Sequence, residues 1–213
     1  MKPKVTHYCF FDLEIDGKQA GRLDFELFGE QAPKTVNNFL ALCSGEMNRN
    51  FLWYKGSLIH KVHSGRWIMG GDIVNGDGTG STTVYGNGQQ KTIEAEVNDL
   101  KFSEPYLLVA SANDKGHTGS QFFITLDELP SLDYSKNTIF GRLLKGTRTI
   151  HQIEGRDELR QLQRDNEKIK DRISQESTPE KFGLFRKKRT YESLTDSKIV
   201  ISNSGVYKLG QTT

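Results

Sequence analysis

The stretch Tyr54–Asp72 reads YKGSLIHKVHSGRWIMGGD and contains two short apolar runs, Ser57–Val62 and Trp67–Met69. Apolar runs of this length between glycines are typical of short β-strands joined by tight turns. The same pattern continues from Gly56 to Gly141, with further apolar runs and many glycines. This density of short strands favours a closed barrel or a sandwich over alternating β-α-β units.

Upstream of this stretch, the sequence predicts a β-hairpin and then a helix. Apolar and polar residues alternate in Phe11–Ile15 and Leu23–Leu27, on either side of the turn dipeptide Asp16-Gly17, which is typical of an antiparallel hairpin with one buried face. Apolar residues then recur at helical spacing between Pro33 and Gly45. Proline is tolerated in a first helical turn and glycine ends helices, so we expect one amphipathic helix here.

The composition changes after Ile150 and Ile153, which predict a second helix that caps one end of the barrel. Residues 154–197 contain eleven basic and ten acidic side chains. Apolar alternation returns in Lys198–Leu209 (KIVISNSGVYKL), which we interpret as the last barrel strand. The sequence therefore predicts a barrel domain made of residues 1–153 and 198–213, with residues 154–197 as a charged helical insertion before the last strand.

Composition excludes several classes of protein. The chain has 213 residues, a net charge of +2 and only two cysteines, so it has no strong field that would steer it toward nucleic acid or anionic lipid. No apolar stretch approaches the roughly 20 residues of a membrane span, and a strand pattern begins within the first ten residues, so neither a membrane segment nor a cleaved leader is expected. Cys9 and Cys43 fit small buried hydrophobes in a reducing compartment. We expect the protein in the cytoplasm, the nucleus or the cytoskeleton.

Several separated motifs, taken in order, are similar to those of the cyclophilin family. They are Gly29–Asn38 (GEQAPKTVNN), Tyr54–Asp72, Gly119–Phe123 (GSQFF), Phe140–Gly141 and the terminal strand. Several motifs in the right order are far more specific than one glycine motif. The resemblance implies a mainly β fold, a closed eight-stranded antiparallel barrel capped by two helices. It also implies peptidyl-prolyl cis/trans isomerisation, which requires no cofactor and no metal.

Isomerisation dictates what such a site must provide. Rotation about a peptide bond faces a barrier of about 18–20 kcal/mol because amide resonance is lost. A site lowers this barrier by holding the proline ring in an apolar pocket, gripping the flanking backbone and placing a cationic donor near the prolyl nitrogen. The resemblance assigns peptide and proline binding to seven residues that stand as the family has them: His60, Gly78, Ala112, Asn113, Gln121, Phe123 and Leu132.

Other site positions depart from the family pattern. Lys61 stands where the family has its catalytic arginine, and an ammonium on a flexible stem is not equivalent to a planar guanidinium fork. Five more positions around it are changed: Arg66, Trp67, Met69, Ser131 and Asn137. We therefore predict a degraded catalytic site, with Lys61, as a degenerate replacement, and Phe123 as its catalytic residues and with Trp67, Met69 and Asn137 lining the peptide groove.

The same residues also fit structural roles. Apolar residues on alternating strands usually belong to a core, so Phe123 suits the barrel interior as well as a pocket. His60 and Gln121 equally suit structural hydrogen bonding. His63 and His117 lack a second ligand at metal-like spacing, so no metal site is predicted.

The first part of the insertion predicts a helix from about Arg156 to Ser174. Its apolar residues fall on heptad a and d positions with a polar residue in one a slot: Leu159, Leu162, Asn166, Ile169 and Ile173. A single polar a residue often fixes the register of a two-stranded coiled coil. Two heptads are fewer than a coiled coil usually shows, so a surface helix packed on its own barrel remains the alternative.

The second part of the insertion combines apolar and cationic residues in one run. Its candidate partner-binding residues are Phe182, Phe185, Arg186, Lys187, Lys188 and Arg189. Aromatic anchors beside four cations suit an acidic protein surface, or else RNA or a nuclear-import receptor. The alternative is a solvated loop without a function of its own.

Two functions follow as hypotheses. In the first, the barrel is a rigid block with weak or absent isomerase activity, and the insertion ties it as an adaptor into a larger assembly; in the second, it is a functional isomerase that assists protein folding. The run Trp67–Val74 (WIMGGDIV) resembles a divergent cyclophilin branch that includes subunits of ciliary radial spokes. An axonemal assembly is therefore expected as the partner, with a ribonucleoprotein as the alternative and free nucleic acid not expected.

Overall fold

A computed structural model describes residues 2–45, 52–155, 168 and 198–207. Within these ranges the chain forms nine β-strands, two α-helices and two short 3-10 turns. The strands are β1 (His7–Ile15), β2 (Lys18–Leu27), β3 (Ile59–His63), β4 (Trp67–Gly70), β5 (Ile93–Glu94), β6 (Leu107–Ala112), β7 (His117–Thr125), β8 (Thr138–Lys145) and β9 (Ile199–Val206). The helices are α1 (Pro33–Ser44) and α2 (residues 147–155), and the 3-10 turns are Tyr85–Gly88 and Pro130–Leu132.

Eight of the strands form one antiparallel path in the order β3-β4-β7-β6-β8-β2-β1-β9, and β5 pairs with β7. The two ends of the path meet, because Leu58 forms a bridge with Val200. The N–H of Ile201 donates to the Ser57 carbonyl at 2.9 Å, and the N–H of Gly56 donates to the Ile201 carbonyl at 2.7 Å. The predicted eight-stranded antiparallel barrel is confirmed. Its two ends are joined by this bridge and these two hydrogen bonds.

The first hairpin follows the alternation in the sequence. Strands β1 and β2 pair from His7 opposite Leu27 to Ile15 opposite Lys18. Asp16 and Gly17 adopt positive φ angles of 53° and 73° in the turn, a conformation that glycine and aspartate tolerate better than most residues. From Cys9 to Ile15 every second residue of β1 is buried, as predicted.

Both predicted helices close over the barrel. Helix α1 begins with Pro33 in its first turn and ends at Gly45, which has the left-handed φ of 67°. Helix α2 buries Ile150 and Ile153, which are 0% and 1% exposed. The barrel interior is dominated by aromatic rings whose nearest centroids lie 4.9–5.7 Å apart: Phe11, Phe39, Tyr54, Phe122 and Phe140. Edge and tilted contacts at such distances stabilise aromatic pairs beyond the area they bury.

The last strand is also confirmed, because β9 pairs antiparallel with β1. Of the predicted insertion, residues 154, 155 and 168 are described, and all three are helical. The rest of the helix predicted for 156–174 and all the candidate partner-binding residues lie outside the described residues: Leu159, Leu162, Asn166, Ile169, Ile173, Phe182, Phe185, Arg186, Lys187, Lys188 and Arg189. None of the helices in the described ranges is long and apolar enough to span a membrane.

Candidate functional site

Phe123 belongs to a second apolar cluster, separate from the barrel core. Along β7 the side chains alternate, so Phe122 and Ile124 enter the core while Phe123 lies on the opposite face of the sheet. The Phe102 ring stacks on the Phe123 ring with centroids 6.5 Å apart and planes 10° apart. Buried members of the cluster are Phe28, Phe102, Leu107, Val109, Phe123, Leu129 and Ile139, and Trp67, Met69 and Leu132 pack against it half-buried.

Three predicted site residues lie in one row across the sheet. Lys61 on β3 is opposite Met69 on β4, and Met69 is opposite Phe123 on β7. Adjacent strands are about 4.8 Å apart, so Met69 lies between Lys61 and Phe123 within one cross-strand row. We use the name Phe123 surface for the residues Lys61, Trp67, Met69, Phe123 and Leu132.

Trp67 forms a side wall of the Phe123 surface. It pairs with Thr125, two residues along β7 from the Met69–Phe123 pair, and its ring lies 6.3 Å from the Phe123 ring at an angle of 54°. The Lys61 ammonium lies 5.3 Å from the centroid of the Trp67 ring, within the range of a cation–π contact. The His63 ring lies 5.6 Å from the same indole. The Lys61 ammonium is therefore associated with the indole.

Gln121 holds a glycine-rich loop that lies beside His60. Gln121 donates its amide Nε2–H to the carbonyls of Gly78 and Gly80, at 2.9 and 2.7 Å. Gly78 has a φ of +92°, and a Cβ there would lie 3.0 Å from the His60 imidazole. Only glycine therefore fits between this backbone and the half-buried histidine without strain. Burial lowers the pKa of His60, although Asp72 partly opposes the shift, so the imidazole is neutral near pH 7.

The Asp72 carboxylate accepts four backbone N–H groups of the same loop. Its Oδ2 accepts the N–H groups of Gly78 and Gly80 at 2.8 and 2.9 Å, while Oδ1 accepts those of Val74 and Asn75 at 3.1 and 2.8 Å. Burial alone would raise the pKa of this carboxyl, but the backbone N–H groups of the loop lower it to about 2.

Sequence reasoning assigned no role to Asp72. The available signal was the position of an aspartate directly before a glycine-rich run, where a carboxylate can accept several backbone N–H groups. The contact of Phe102 with Phe123 was also missed. Phe102 comes from an irregular segment whose sequence pattern does not indicate which face of the sheet it covers.

Asn113, predicted to grip a bound peptide, shapes a tight turn. Its N–H donates to the His117 carbonyl at 2.9 Å, and its Oδ1 accepts the N–H groups of Lys115 and His117, both at 3.0 Å. Asn137 accepts the N–H of Ala112 through Oδ1 at 2.9 Å. The structure thus places Asn113, Ala112 and Asn137 at the β6–β7 turn and the entry to β8.

The predicted site residues thus divide into three neighbouring groups. The Phe123 surface is apolar with one ammonium, the loop held by Gln121 and Asp72 is polar, and the β6–β7 turn satisfies its own backbone groups. In the parts of the chain that the structure describes, His, Cys, Asp and Glu side chains form no cluster of three that could hold a metal ion. The arrangement offers an apolar surface edged by a cation.

Comparisons with known proteins agree with this architecture. The family model described as cyclophilin type peptidyl-prolyl cis-trans isomerase/CLD matches residues 10–178. A protein named peptidyl-prolyl cis-trans isomerase 9, from Caenorhabditis briggsae, is 39% identical over 150 residues, which are 68% of this chain and 46% of that relative. The chain therefore spans about half the length of the curated relative it matches. The barrel, its order of motifs and these matches lead to one conclusion: the chain belongs to the cyclophilin-type peptidyl-prolyl cis-trans isomerase family.

Proposed function

We propose that this chain binds proline-containing segments at the Phe123 surface, isomerises them weakly or not at all, and acts mainly as a structural adaptor in a larger assembly. The apolar cluster supports the binding part of the proposal, since a proline ring needs an apolar wall. The low turnover that we expect follows from the charged group beside that wall, which is the Lys61 ammonium and not a guanidinium.

The position of Lys61 carries the proposal. Its ammonium lies 5.3 Å from the centroid of the Trp67 ring, a contact worth about 0.5–1 kcal/mol at an exposed site. Catalysis by electrostatics requires a donor already aimed at the atom where charge develops. An ammonium on a flexible stem and attracted to an indole is less preorganised for the prolyl nitrogen than a planar guanidinium would be.

Two further side chains reduce the grip on a twisted amide. Met69 stands beside Phe123 in the row where the family resemblance expects a glutamine, and a thioether donates no hydrogen bond. Gln121 directs its Nε2 to two loop carbonyls. Fewer donors are thus available for contacts that strengthen only in the transition state, and these are the contacts that raise the turnover rate.

A second candidate function is ordinary isomerase activity. It is favoured by the 39% identity to a protein named as a peptidyl-prolyl isomerase and by the apolar cluster around Phe123. Measurement of cis-to-trans conversion of an Ala-Pro peptide decides between the two candidates.

We expect the natural chain at micromolar concentration to accelerate conversion no more than a few-fold over the uncatalysed rate. Lys61→Arg should raise kcat/KM by about a hundredfold, the lower end of the range for one preorganised donor. Lys61→Gln is the matched control and should leave the low rate unchanged. Turnover of the natural chain equal to that of an ordinary cyclophilin assayed in parallel would overturn the proposal.

The adaptor role rests on the insertion at residues 154–197, with the heptad stripe and the run that begins at Phe182 as the contact regions. We propose an axonemal assembly as the partner and a cytoplasmic, cytoskeletal location, on the likeness of Trp67–Val74 to radial-spoke cyclophilins. Ribonucleoprotein attachment is the competing proposal. Extraction of the native protein with salt-resistant axonemes supports the first, and recovery with ribonucleoproteins supports the second. Normal assembly after deletion of 154–197 would refute the adaptor role.

A further inference from the structure

We infer that the Phe123 surface prefers proline segments that carry a negative charge close to the proline, either a carboxylate or a phosphate. This inference rests on the proposed function, because it names the class of segment that the same surface takes. Its basis is a pair of exposed cations at the β3–β4 edge, Lys61 and Arg66.

The apolar half of the surface suits the proline ring. Phe123 is 6% exposed and is backed by the stacked ring of Phe102, so it can offer a ring edge without moving. Met69 and Leu132 are half-buried against the same cluster. A ring seated there covers apolar surface that is already partly removed from water.

The charged half lies on β3 and on the turn before β4, next to Trp67. The Lys61 side chain is exposed, with its ammonium 5.3 Å from the centroid of the indole. His63 is also exposed, with its ring 5.6 Å from the indole, and the exposed Arg66 directly precedes Trp67. A ligand group that approaches the Trp67 wall therefore meets positive charge, which favours an anion.

The acidic groups near this charge already accept hydrogen bonds from the backbone, including Asp72 and Asp77, which act on His60 beside Lys61. Glu154 accepts the N–H of Gly65 at 3.2 Å, on the turn that precedes Arg66. Asp127 follows β7, and its Oδ1 accepts the N–H of Glu128 at 2.8 Å. Strand β4 lies between β3 and β7, so Lys61 is separated from the acidic residues after β7 by a strand. Lys61 is thus the cation expected to contribute most to the preference.

The spacing sets where the charge must lie in the ligand. Lys61 and Phe123 are two strand spacings apart in one row, about 10 Å between backbones. Consecutive residues of an extended peptide advance about 3.3–3.6 Å, and the lysine stem reaches back toward the indole. A carboxylate or phosphate one or two residues from the proline is therefore within reach when the proline ring lies on Phe123.

The test uses Trp67 as a fluorescent reporter in Trp53→Phe, which removes the second tryptophan. Acetylated and amidated peptides Gly-Ala-Xaa-Pro-Ala-Gly are titrated with Xaa as Glu, phosphoserine or Gln. We expect Glu to bind about 1.5- to fivefold tighter than Gln at low salt, the range for an exposed ion pair, and the advantage to shrink as salt screens it. If the phosphoserine peptide binds more tightly than the Glu peptide, the preference is for phosphate. Equal affinities of these two peptides would show that a carboxylate suffices.

Variants locate the charge that matters. Lys61→Gln should bring the Glu-to-Gln affinity ratio close to one, and Arg66→Gln should lower the ratio less. Lys145→Gln removes an exposed lysine on β8 and should change nothing. Calorimetry on the natural chain repeats the titration without relying on the folding of Trp53→Phe.

The two proposals fail differently. Equal binding of the Glu and Gln peptides at low salt would overturn the charge preference and leave the proposed function standing. No binding of any of the three peptides would overturn the proposed function together with the preference. An unchanged ratio in Lys61→Gln would refute the assignment to Lys61.

Discussion

Glu96 caps helix α1 across 61 residues of sequence, because its Oε2 accepts both the N–H and the Oγ1–H of Thr35, at 2.7 and 2.8 Å. Its Oε1 accepts the N–H of Lys34 at 3.0 Å. The residue at the N-cap position, Ala32, has no side-chain acceptor. A distant carboxylate therefore satisfies the first turn of the helix and lies at the positive end of its dipole.

Glu96→Ala should lower the free energy of unfolding by about 1–2 kcal/mol, the usual cost of losing an N-cap acceptor. Urea denaturation at pH 7 measures the change. Glu94→Ala is the matched control, since it removes an exposed carboxylate from strand β5 nearby and should change stability much less. Equal losses in the two variants would contradict the capping role.

The lowered pKa of Asp72 predicts that the folded chain loses stability at low pH. Its pKa is about 2 in the folded chain against an ordinary 3.8, so folding favours the ionised form. The resulting stability, about 2 kcal/mol, is fully present above pH 4 and is lost as the pH falls from about 4 to about 2. Denaturation followed across this range should show the loss in the natural chain and not in Asp72→Asn.

Asp72→Asn should also be less stable at neutral pH, by about 2–4 kcal/mol, because an amide N–H₂ would then face backbone N–H donors. Asp77→Asn is the control from the same loop. Asp77 is exposed and accepts hydrogen bonds from the N–H and hydroxyl of Thr79. If Asp77→Asn lost as much stability at neutral pH as Asp72→Asn, the loop would be sensitive to the loss of any carboxylate and not to Asp72 in particular.

Gln121→Met should loosen the loop next to His60. The thioether fills a similar volume but cannot donate to the carbonyls of Gly78 and Gly80, so we expect a loss of about 1–3 kcal/mol from these unpaired groups. Amide hydrogen exchange should speed up at Gly78 and Gly80, whose N–H groups bind Asp72. Unchanged exchange at both glycines would mean that Asp72 alone holds the loop.

The two thiols should be inert in the folded chain. Cys9 and Cys43 are both 0% exposed and unbridged. Burial raises the pKa of Cys43, with the neighbouring Cys9 thiol adding to the effect, and a thiol rather than a thiolate reacts poorly. A disulfide reagent at pH 8 should therefore react only as fast as the chain unfolds, and both thiols should react at once in concentrated urea. Fast reaction without denaturant would contradict this burial.

Local pattern was enough to predict much of the fold. The hairpin at Asp16-Gly17, the helix between Pro33 and Gly45 and the last strand all follow from alternation or helical spacing within about ten residues. The helix cap from Glu96 could not be predicted in this way, since its partner is distant in sequence. The same holds for Asp72, whose four N–H partners depend on the path of a glycine-rich loop that has no periodicity.

For the candidate site, motif order identified the residues but not their surroundings. Phe123 was compatible with the core or with an outer pocket until the register placed Phe122 and Ile124 inside and Phe123 outside. Sequence spacing also could not show that the backbone groups of Asn113 are used by its own turn. The residue type sets which hydrogen bonds and contacts a side chain can make, and its neighbours in the fold decide which of them it makes.

By itself, the sequence determined that the chain folds as an antiparallel barrel and that a lysine replaces the arginine expected by resemblance. Alternation, turn residues and motif identity are properties of the chain alone. Only the tertiary structure decided that the Lys61 ammonium lies over Trp67, in a row that continues through Met69 to Phe123. That arrangement depends on how three strands align, and cross-strand register is set by hydrogen bonding and packing between segments far apart in sequence.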